Sequence, residues 1–538
     1  MIHPMKNSTL FLSKLMLCTA AIHSICIASS AEENTPIAST QVVTYEEFGA
    51  AGNGVTDDLP AIVATHAHAN KTGLPVRSDP DAAYYLGTRD LVAIIKTNTD
   101  WNTSRFIIDD SQGVEDYKQA LFRIESSQEP ITLEIDSLKE GQTKLNLRPE
   151  QTCFVYVEND NQKLFIRRGL NPTKGTPQRE VFILHTDGSI EGSIQWDYET
   201  LTDIKAVPID PEPLVLSGGI FTNIANAMKQ EEGTRGSKYW ARNIQVMRSN
   251  TIIDGVTQEV TGEGEYGQPY RGFLQAKSAA NVTFQDCRID GRKTYRQIGR
   301  AGKLVPSGSY GYHADLVVNF KMLRCKMNKV DIQDTTRWGV VATNFMKNFL
   351  FEDCNLSRVD VHMGVSGYYI IRRSTIGYAG ITAIGQGLLL VEDSTVYSSK
   401  LIGFRSDYGS TWKGDVIVRN SRWVAQQSER HSPAIFLFKN DGTHDFGYTC
   451  YMPENIIIDG LIVDDAQFND LPSEVAIFSD PTGPTIENRP FPIQLTKHLE
   501  LKNLELPNNK SYIVSENPVL ANSIRVIDDK NIQSSNKD

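Results

Sequence analysis

The sequence predicts an all-β chain wound into a right-handed parallel β-helix, with an N-terminal capping helix and a β-rich insertion. Three observations carry this: apolar residues at fixed offsets in the second half, uneven intervals between those repeats, and a glycine-rich opening followed by one short helix. Six segments, VTFQDCRI, FKMLRCKM, FLFEDCNL, YIIRRSTI, LLVEDSTV and VIVRNSRW, align on Cys287, Cys325, Cys354, Ser374, Ser394 and Ser421. Five and three places before these anchors and two places after them, all eighteen residues are apolar or aromatic. Alternation that runs up to a polar pair and resumes beyond it describes two short strands joined by a bend. Intervals of 38, 29, 20, 20 and 27 residues are too variable for a helical or leucine-rich solenoid, and suit coils that keep their strands and vary their loops. Immediately before the anchors stand Asp286, Arg324, Asp353, Arg373, Asp393 and Asn420. In parallel strands stacked about 4.8 Å apart, such charges meet opposite neighbours and are read as structural. The anchors themselves predict an interior ladder of cysteine and serine.

Taken in order, residues 1–31 read as a secretory signal: Lys6 and Lys14 precede an apolar run from Leu15 to Ala28, with Ser29, Ser30 and Ala31 at the cleavage positions. The run is too short and interrupted to span a bilayer, so a secreted or periplasmic protein without a membrane span is expected. Residues 32–109 form the cap and the start of the coil. There Asp58 is expected to cap a helix beginning Leu59-Pro60 and ending at Gly73. Residues 110–210 lack the repeat and alternate as strands (ITLEID, TCFVYVEND, KLFIRRG, VFILHTDGSIEG), which reads as an antiparallel insertion. Weaker copies of the repeat (TIIDGVT, IIIDGLIV, LELKNLEL) extend the coil over 211–510, and 511–538 reads as a polar, disordered tail.

The net charge of −11 argues against nucleic acid and anionic membranes as partners. Five cysteines follow the signal (Cys153, Cys287, Cys325, Cys354, Cys450), with spacings that suit neither a zinc site nor a disulfide framework. From 290 to 347, however, eleven Lys and Arg face four Asp, a local excess suited to a polyanion groove or to a solvated charged face.

The stretch FGAAGNGVTDD followed by an alanine-rich helix resembles the opening of pectin-lyase-like β-helix proteins, a superfamily of lyases, hydrolases, epimerases and phage tailspikes. The combination of TNTDW, FIIDD, TGEGEYGQPY, TRWGV, HMGV and RSDYGSTWKGD resembles bacterial polysaccharide lyase family 29. That resemblance implies cleavage of glycosaminoglycans such as chondroitin sulfate and hyaluronan. It fixes no catalytic residue.

Candidate residues come instead from position. His313, His362 and Thr382 each lie twelve residues before the next anchor, while Arg337 and Arg405 lie seventeen and sixteen before theirs. With loop variation, all five are expected on one long face. A histidine flanked by arginines is what uronate elimination needs: cations stabilise the charge that develops as the C5 proton leaves, and a neutral imidazole takes the proton. The catalytic candidates are therefore His362 as base, with His313 competing, and Arg337 and Arg405 as charge stabilisers. Tyr408 or Tyr312 would donate to the departing O4, and Tyr312, Lys329 and Trp338 would bind substrate. Each also has a plain structural reading, as a hydrogen-bonded strand histidine, an ion-pair rung or a packing aromatic. A calcium-assisted variant would draw on Asp331, Asp334, Asp360 and Asp407, whose spacing offers no compact ligand set; no cofactor is expected. The expectation is a monomeric lyase acting on an acidic polysaccharide. The alternatives are a β-helix glycoside hydrolase with paired carboxylates and a non-catalytic glycan-binding adhesin.

Overall fold

The computed structural model describes residues 41–529, apart from 168–173, 234–235, 237, 299–303, 429–431, 441–443, 469–470, 481–492 and 508–509. The signal read at 1–31, and Arg300 and Lys303 of the basic stretch, lie outside the described residues.

Inward apolar residues at every second strand position wind the chain into a parallel β-helix, 29 of whose described strands join in one continuous sheet. The repeat is its register. Val282, Phe320, Phe349, Tyr369, Leu389 and Val416 pair in succession, as do Phe284, Met322, Phe351, Ile371, Val391 and Val418. All of these are fully buried, and together with the rest of the coil interior they form one core. The residue before each anchor makes the bend by adopting the left-handed region, with φ between 44° at Asn420 and 55° at Arg324. Behind the bend the anchors form a polar ladder. The Cys325 amide donates to Cys354 Sγ (3.3 Å), the Cys354 amide to Ser374 Oγ (3.0 Å), the Ser374 amide to Ser394 Oγ (3.1 Å) and the Ser394 amide to Ser421 Oγ (3.2 Å). Each arginine at the bend pairs with the acid of the coil before it, Arg324 with Asp286 (2.6 Å) and Arg373 with Asp353 (3.0 Å).

A second ladder marks the other corner. Asn281, Asn319 and Asn348 each donate a side-chain amide to the preceding rung, Asn250 being the first, at 2.8–2.9 Å and with positive φ throughout. It stops at Gly367, where a Cβ would stand 2.1 Å from Asn348 Oδ1.

The capping helix spans Leu59–Thr72, ends on Gly73 (φ 73°), and buries Leu59, Ile62 and Ala69 over the open end of the coil. Asp58 does not cap it through its side chain: that carboxylate accepts from the Ala51 and Gly52 amides (2.6 and 3.2 Å), fixing the glycine turn, and Asp57 Oδ1 accepts from the Leu59 amide (3.2 Å). In the first half, Asp203–Pro208, Cys153–Leu164 and Thr176–Leu184 form a separate antiparallel sheet. It has a core of its own around Val155, Phe182 and Tyr198. A buried ion pair ties it to the coil: Lys347 Nζ reaches Glu180 Oε1 (3.3 Å) and the Ser193 carbonyl (2.8 Å). At the far end the coil continues past the expected boundary at 510. Ser511–Ile513 pairs with Glu474–Ala476 and Arg525–Asp528 with His498–Leu501, while Leu520 of a short helix is fully buried. Apolar residues at alternate positions, too few to stand out in a polar segment, account for the correction.

Candidate functional site

One outward-facing column of the coil carries five polar residues among seven rungs. Gln245, Gln275, His313, Ala342, Asp360, Thr382 and Gly403 occupy successive rungs in register. At its centre the register breaks: Thr343 pairs with Val361 and Asn344 with Met363, leaving His362 as an extra residue. A bulge of this kind bends the strand and re-aims the side chain it carries. His362 is thereby turned to the outer face, with Nδ1 at 3.3 Å from Asn344 Oδ1. A hydrogen bond from Nδ1 to that oxygen selects the tautomer whose Nε2 lone pair is free. The Asn344 amide nitrogen lies 3.4 Å from His313 Nε2, and Gln275 Nε2 lies 3.0 Å from His313 Nδ1, so the two histidines are linked through one asparagine.

Charge surrounds this pair. Arg405 is held between two carboxylates, with Nη1 at 3.0 Å from Asp360 and Nε and Nη2 at 3.1 and 2.9 Å from Asp407. Arg358 adds a second cation to Asp360 (3.1 Å), and Arg167, from the insertion, a third cation beside Asp407 (2.8 Å). Burial alone would raise the Asp360 carboxyl, but Arg358 and Arg405 outweigh it and hold Asp360 well below the usual range. Asp407 is likewise held down, by Arg405 and Arg167 against its burial. Both are therefore carboxylates, and three guanidinium groups against two carboxylates leave the pocket positive. Burial and Arg405 pull the His362 imidazole down to about 3, against the opposing pull of Asp360 and Asp407. It is neutral at ordinary pH.

Aromatic rings frame the cluster. Tyr408 meets His362 edge to face (centroids 5.5 Å, 74°) and lies beneath both Arg405 and Arg167. Its phenol is pushed up to about 12 by burial and by Asp407. On the other side His313 stacks on Tyr310 (6.0 Å), which stacks on Tyr239 (5.7 Å, 8°). Burial raises both of these phenols, the second largest influence being Asp360 for Tyr310 and Tyr310 itself for Tyr239.

The structure thus brings together His362, His313, Arg405 and Tyr408, although Tyr408 is only 2% exposed. It separates Tyr312, Arg337 and Lys329, and leaves Trp338 at the margin of the cluster. Tyr312 is fully buried inside the coil, its hydroxyl donating to the Cys287 carbonyl (3.2 Å), because strand alternation turns it inward where it turns its neighbour His313 outward. It cannot bind substrate or donate a proton to it. Arg337 pairs with Glu263 (2.5 Å) and the Gly291 carbonyl (3.2 Å), so its charge is committed away from His362. Lys329 pairs with Glu259, and Trp338 lies under Arg358 (5.2 Å) rather than open to a sugar. Five residues of the cluster have no counterpart among the sequence candidates: Arg167, Arg358, Asn344, Tyr310 and Tyr239. Asn344 had a signal, lying in a strand next to the repeat that holds His362; Arg167 had none beyond the RR pair that ends KLFIRRG.

A second polar cluster surrounds Arg337. Asp290 is buried, with Oδ2 accepting from the Val260 amide (3.1 Å) and no hydrogen-bond partner at Oδ1 among the described residues. Burial raises its carboxyl against the pull of Arg337, and Glu263 and Glu259 push in the same direction. Among the described residues no three His, Cys, Asp or Glu converge to hold a metal ion, and no helix is long and apolar enough to cross a membrane. The calcium candidates Asp360 and Asp407 share Arg405 as their cation.

No family model matches the chain. Over 102 residues it is 30% identical to a depolymerase specific for capsule KL64 from a Klebsiella phage, a match spanning 17% of this chain and 10% of that protein. Among solved structures, the tailspike protein gp49 of Pseudomonas phage LKA1 superimposes with a TM-score of 0.53 at 12% identity, over 90% of this chain and 84% of that one. The tailspike gp61 of Pseudomonas phage phi297 gives 0.50 at 12% identity, over 91% and 84%. At these identities the likeness is one of fold, a parallel β-helix extending over nearly the whole chain.

Proposed function

We propose that the chain is a secreted polysaccharide lyase that cleaves an acidic, uronate-containing polysaccharide by β-elimination, with glycosaminoglycans such as chondroitin sulfate or hyaluronan as the first class to test. The depolymerase similarity and the tailspike fold support action on a polysaccharide. The resemblance of TRWGV, HMGV and RSDYGSTWKGD to polysaccharide lyase family 29 supports elimination. The observation that carries the reading is a neutral imidazole, bulged outward, beside an amide and a net positive cluster.

Arg167, the most exposed cation of the cluster at 39%, and the Asn344 amide meet the substrate carboxylate. They stabilise the charge that builds as the C5–H bond breaks. The proton passes to His362 Nε2. The electron pair forms the C4–C5 double bond, the C4–O4 bond breaks, and O4 takes a proton from Tyr310, which is more accessible than Tyr408 and stands in for the buried Tyr312. An imidazole with a pKa near 3 is a weak base in the empty site. A bound carboxylate adds negative charge beside it and raises its affinity for the proton when it is needed. Arg405 keeps Asp360 and Asp407 ionised and in place.

A second reading, hydrolysis, is favoured by one observation: Asp290 is a carboxyl held up toward its acid form, with two further acids beside it, as a general acid requires. Asp360 and Asp407, both held down, do not meet that requirement. The test is to incubate the protein with chondroitin, hyaluronan, heparan sulfate and polygalacturonate, recording ultraviolet absorbance of the unsaturated uronate and new reducing ends. Elimination gives both, and His362→Ala removes both. Reducing ends without absorbance, lost in Asp290→Asn but not in His362→Ala, replace lyase by hydrolase; binding without either product makes the chain an adhesin.

A further inference from the structure

Between the insertion and the coil lies a cleft of about 440 Å³, bounded by the insertion at Gln162, Phe165 and Trp196 and by the coil at Gln386, Thr411 and Lys413. Its volume is that of a small-molecule site, and its chemistry differs from that of the histidine cluster. Trp196 and Tyr448 form an aromatic corner (centroids 5.9 Å, 38°). Tyr451 lies under the Lys413 ammonium (5.4 Å), which is itself paired with Glu140. Three acids, Glu140, Asp197 and Glu199, line the cleft against that one lysine. Gln162 and Gln386 add neutral amides to the wall.

The cleft adjoins the reaction centre. Phe165 and Tyr448 line it and also pack against each other (5.4 Å). Phe165 is edge to face with Tyr408 (5.8 Å), and the Tyr448 hydroxyl donates to the Tyr408 carbonyl (2.7 Å). Two rings in series, Phe165 or Tyr448 and then Tyr408, lie between the cleft and His362.

We infer that this cleft is a sugar-binding subsite for an uncharged pyranose of the same polymer, a hexose or N-acetylhexosamine, and that it rejects uronates. Aromatic rings cover the apolar face of a pyranose while amides meet its hydroxyls. With Lys413 offsetting Glu140, Asp197 and Glu199 leave the lining two charges negative, so the approach of a further carboxylate to within several ångströms is unfavourable even near a protein surface. As an assignment within one polymer, it rests on the reading proposed above: a uronate at His362 and an uncharged unit in the cleft require a mixed chain, and a homopolyuronate cannot fill both.

The test reads the cleft directly, without turnover. Saturation-transfer NMR of the full chain with N-acetylgalactosamine, N-acetylglucosamine, galactose and glucuronate should show transfer to at least one uncharged sugar and none to glucuronate from this site. Trp196→Ala should abolish that transfer, and His362→Ala should leave it intact. Because Trp196 packs on the core, the exposed Glu199→Lys provides a second variant: it should retain the uncharged sugar and gain glucuronate. No transfer from wild type to any uncharged sugar, transfer unchanged in Trp196→Ala, or a glucuronate signal that Trp196→Ala abolishes together with that of the uncharged sugars would overturn the assignment. Loss of the lyase reading appears separately, as turnover indifferent to His362→Ala with the sugar signal preserved.

Discussion

The bend lined by Cys325, Cys354, Ser374, Ser394 and Ser421 and the face that carries His362 lie on the same coils and are built by opposite means. At the bend every coil does the same thing: one left-handed residue, one small polar anchor, one hydrogen bond to the next rung. On the face each coil does something different, a histidine, an asparagine, an aspartate or an arginine, and the register itself breaks at His362. Repetition there would give stacked like groups. Chemistry needs unlike groups at close quarters, so the candidate site arises where the period fails and where the insertion contributes Arg167 from outside it.

The largest effect expected on the face side is on turnover. His362→Ala should lower kcat/KM by about 10³-fold, within the range for losing a general base, with the thermal midpoint unchanged. Ser374→Ala at the bend should leave kcat/KM intact. Next comes Arg405→Ala, which strips Asp360 and Asp407 of a shared buried cation. A loss of about 3–5 kcal/mol in urea unfolding is expected, with an upward shift of the His362 titration by NMR, since the arginine that opposes its protonation has gone. Unchanged stability would show the two carboxylates to be adequately held by Arg358 and Arg167.

Acid should act on the irregular parts before the bend. His362, and His66 in the capping helix, each fall from the ordinary 6.5 to about 3 in the folded chain, His66 by burial alone. Between those values the unfolded chain binds more protons, so the free energy of unfolding rises with pH and is lost as pH falls from 6.5 toward 3. Denaturant midpoints across that window should fall with acid, and His66→Phe should flatten part of the slope. Smaller still, Ser374→Ala leaves the Cys354 amide without its acceptor and should cost about 1–3 kcal/mol. Arg373→Ala, which takes a half-exposed arginine away from both Asp353 and Glu352, should cost about 1 kcal/mol or less in the same assay. A larger loss than at Ser374 would reverse the ranking of the two bend interactions.

What could be read in the sequence follows the same division. The strands, their register and the cysteine-serine ladder were legible because each is repeated six times, and the register pairs the same residues that the alignment pairs. The asparagine ladder was equally open to reading, since Asn281, Asn319 and Asn348 all stand six places before an anchor. Counting to the anchors also grouped His313, His362 and Arg405. It failed for Arg337, whose extra five residues carry it off the column to Glu263, while Tyr312, named without that count, has a parity with His313 that already points it inward. Arg167 was illegible for a different reason: its place depends on how a separate sheet docks on the coil, and no spacing along the chain encodes that distance.

The bulge at His362 affects only its own surroundings. Val359 pairs with Val341 before it and Val365 with Met346 after it, so the ladder absorbs one extra residue and parallel pairing resumes on the far side. Reagent and scaffold are thereby uncoupled. Exchanging the looped-out residue alters what the groove can do to a bond while leaving the winding of the coil untouched, and a framework of this kind can change its chemistry without first learning to fold again.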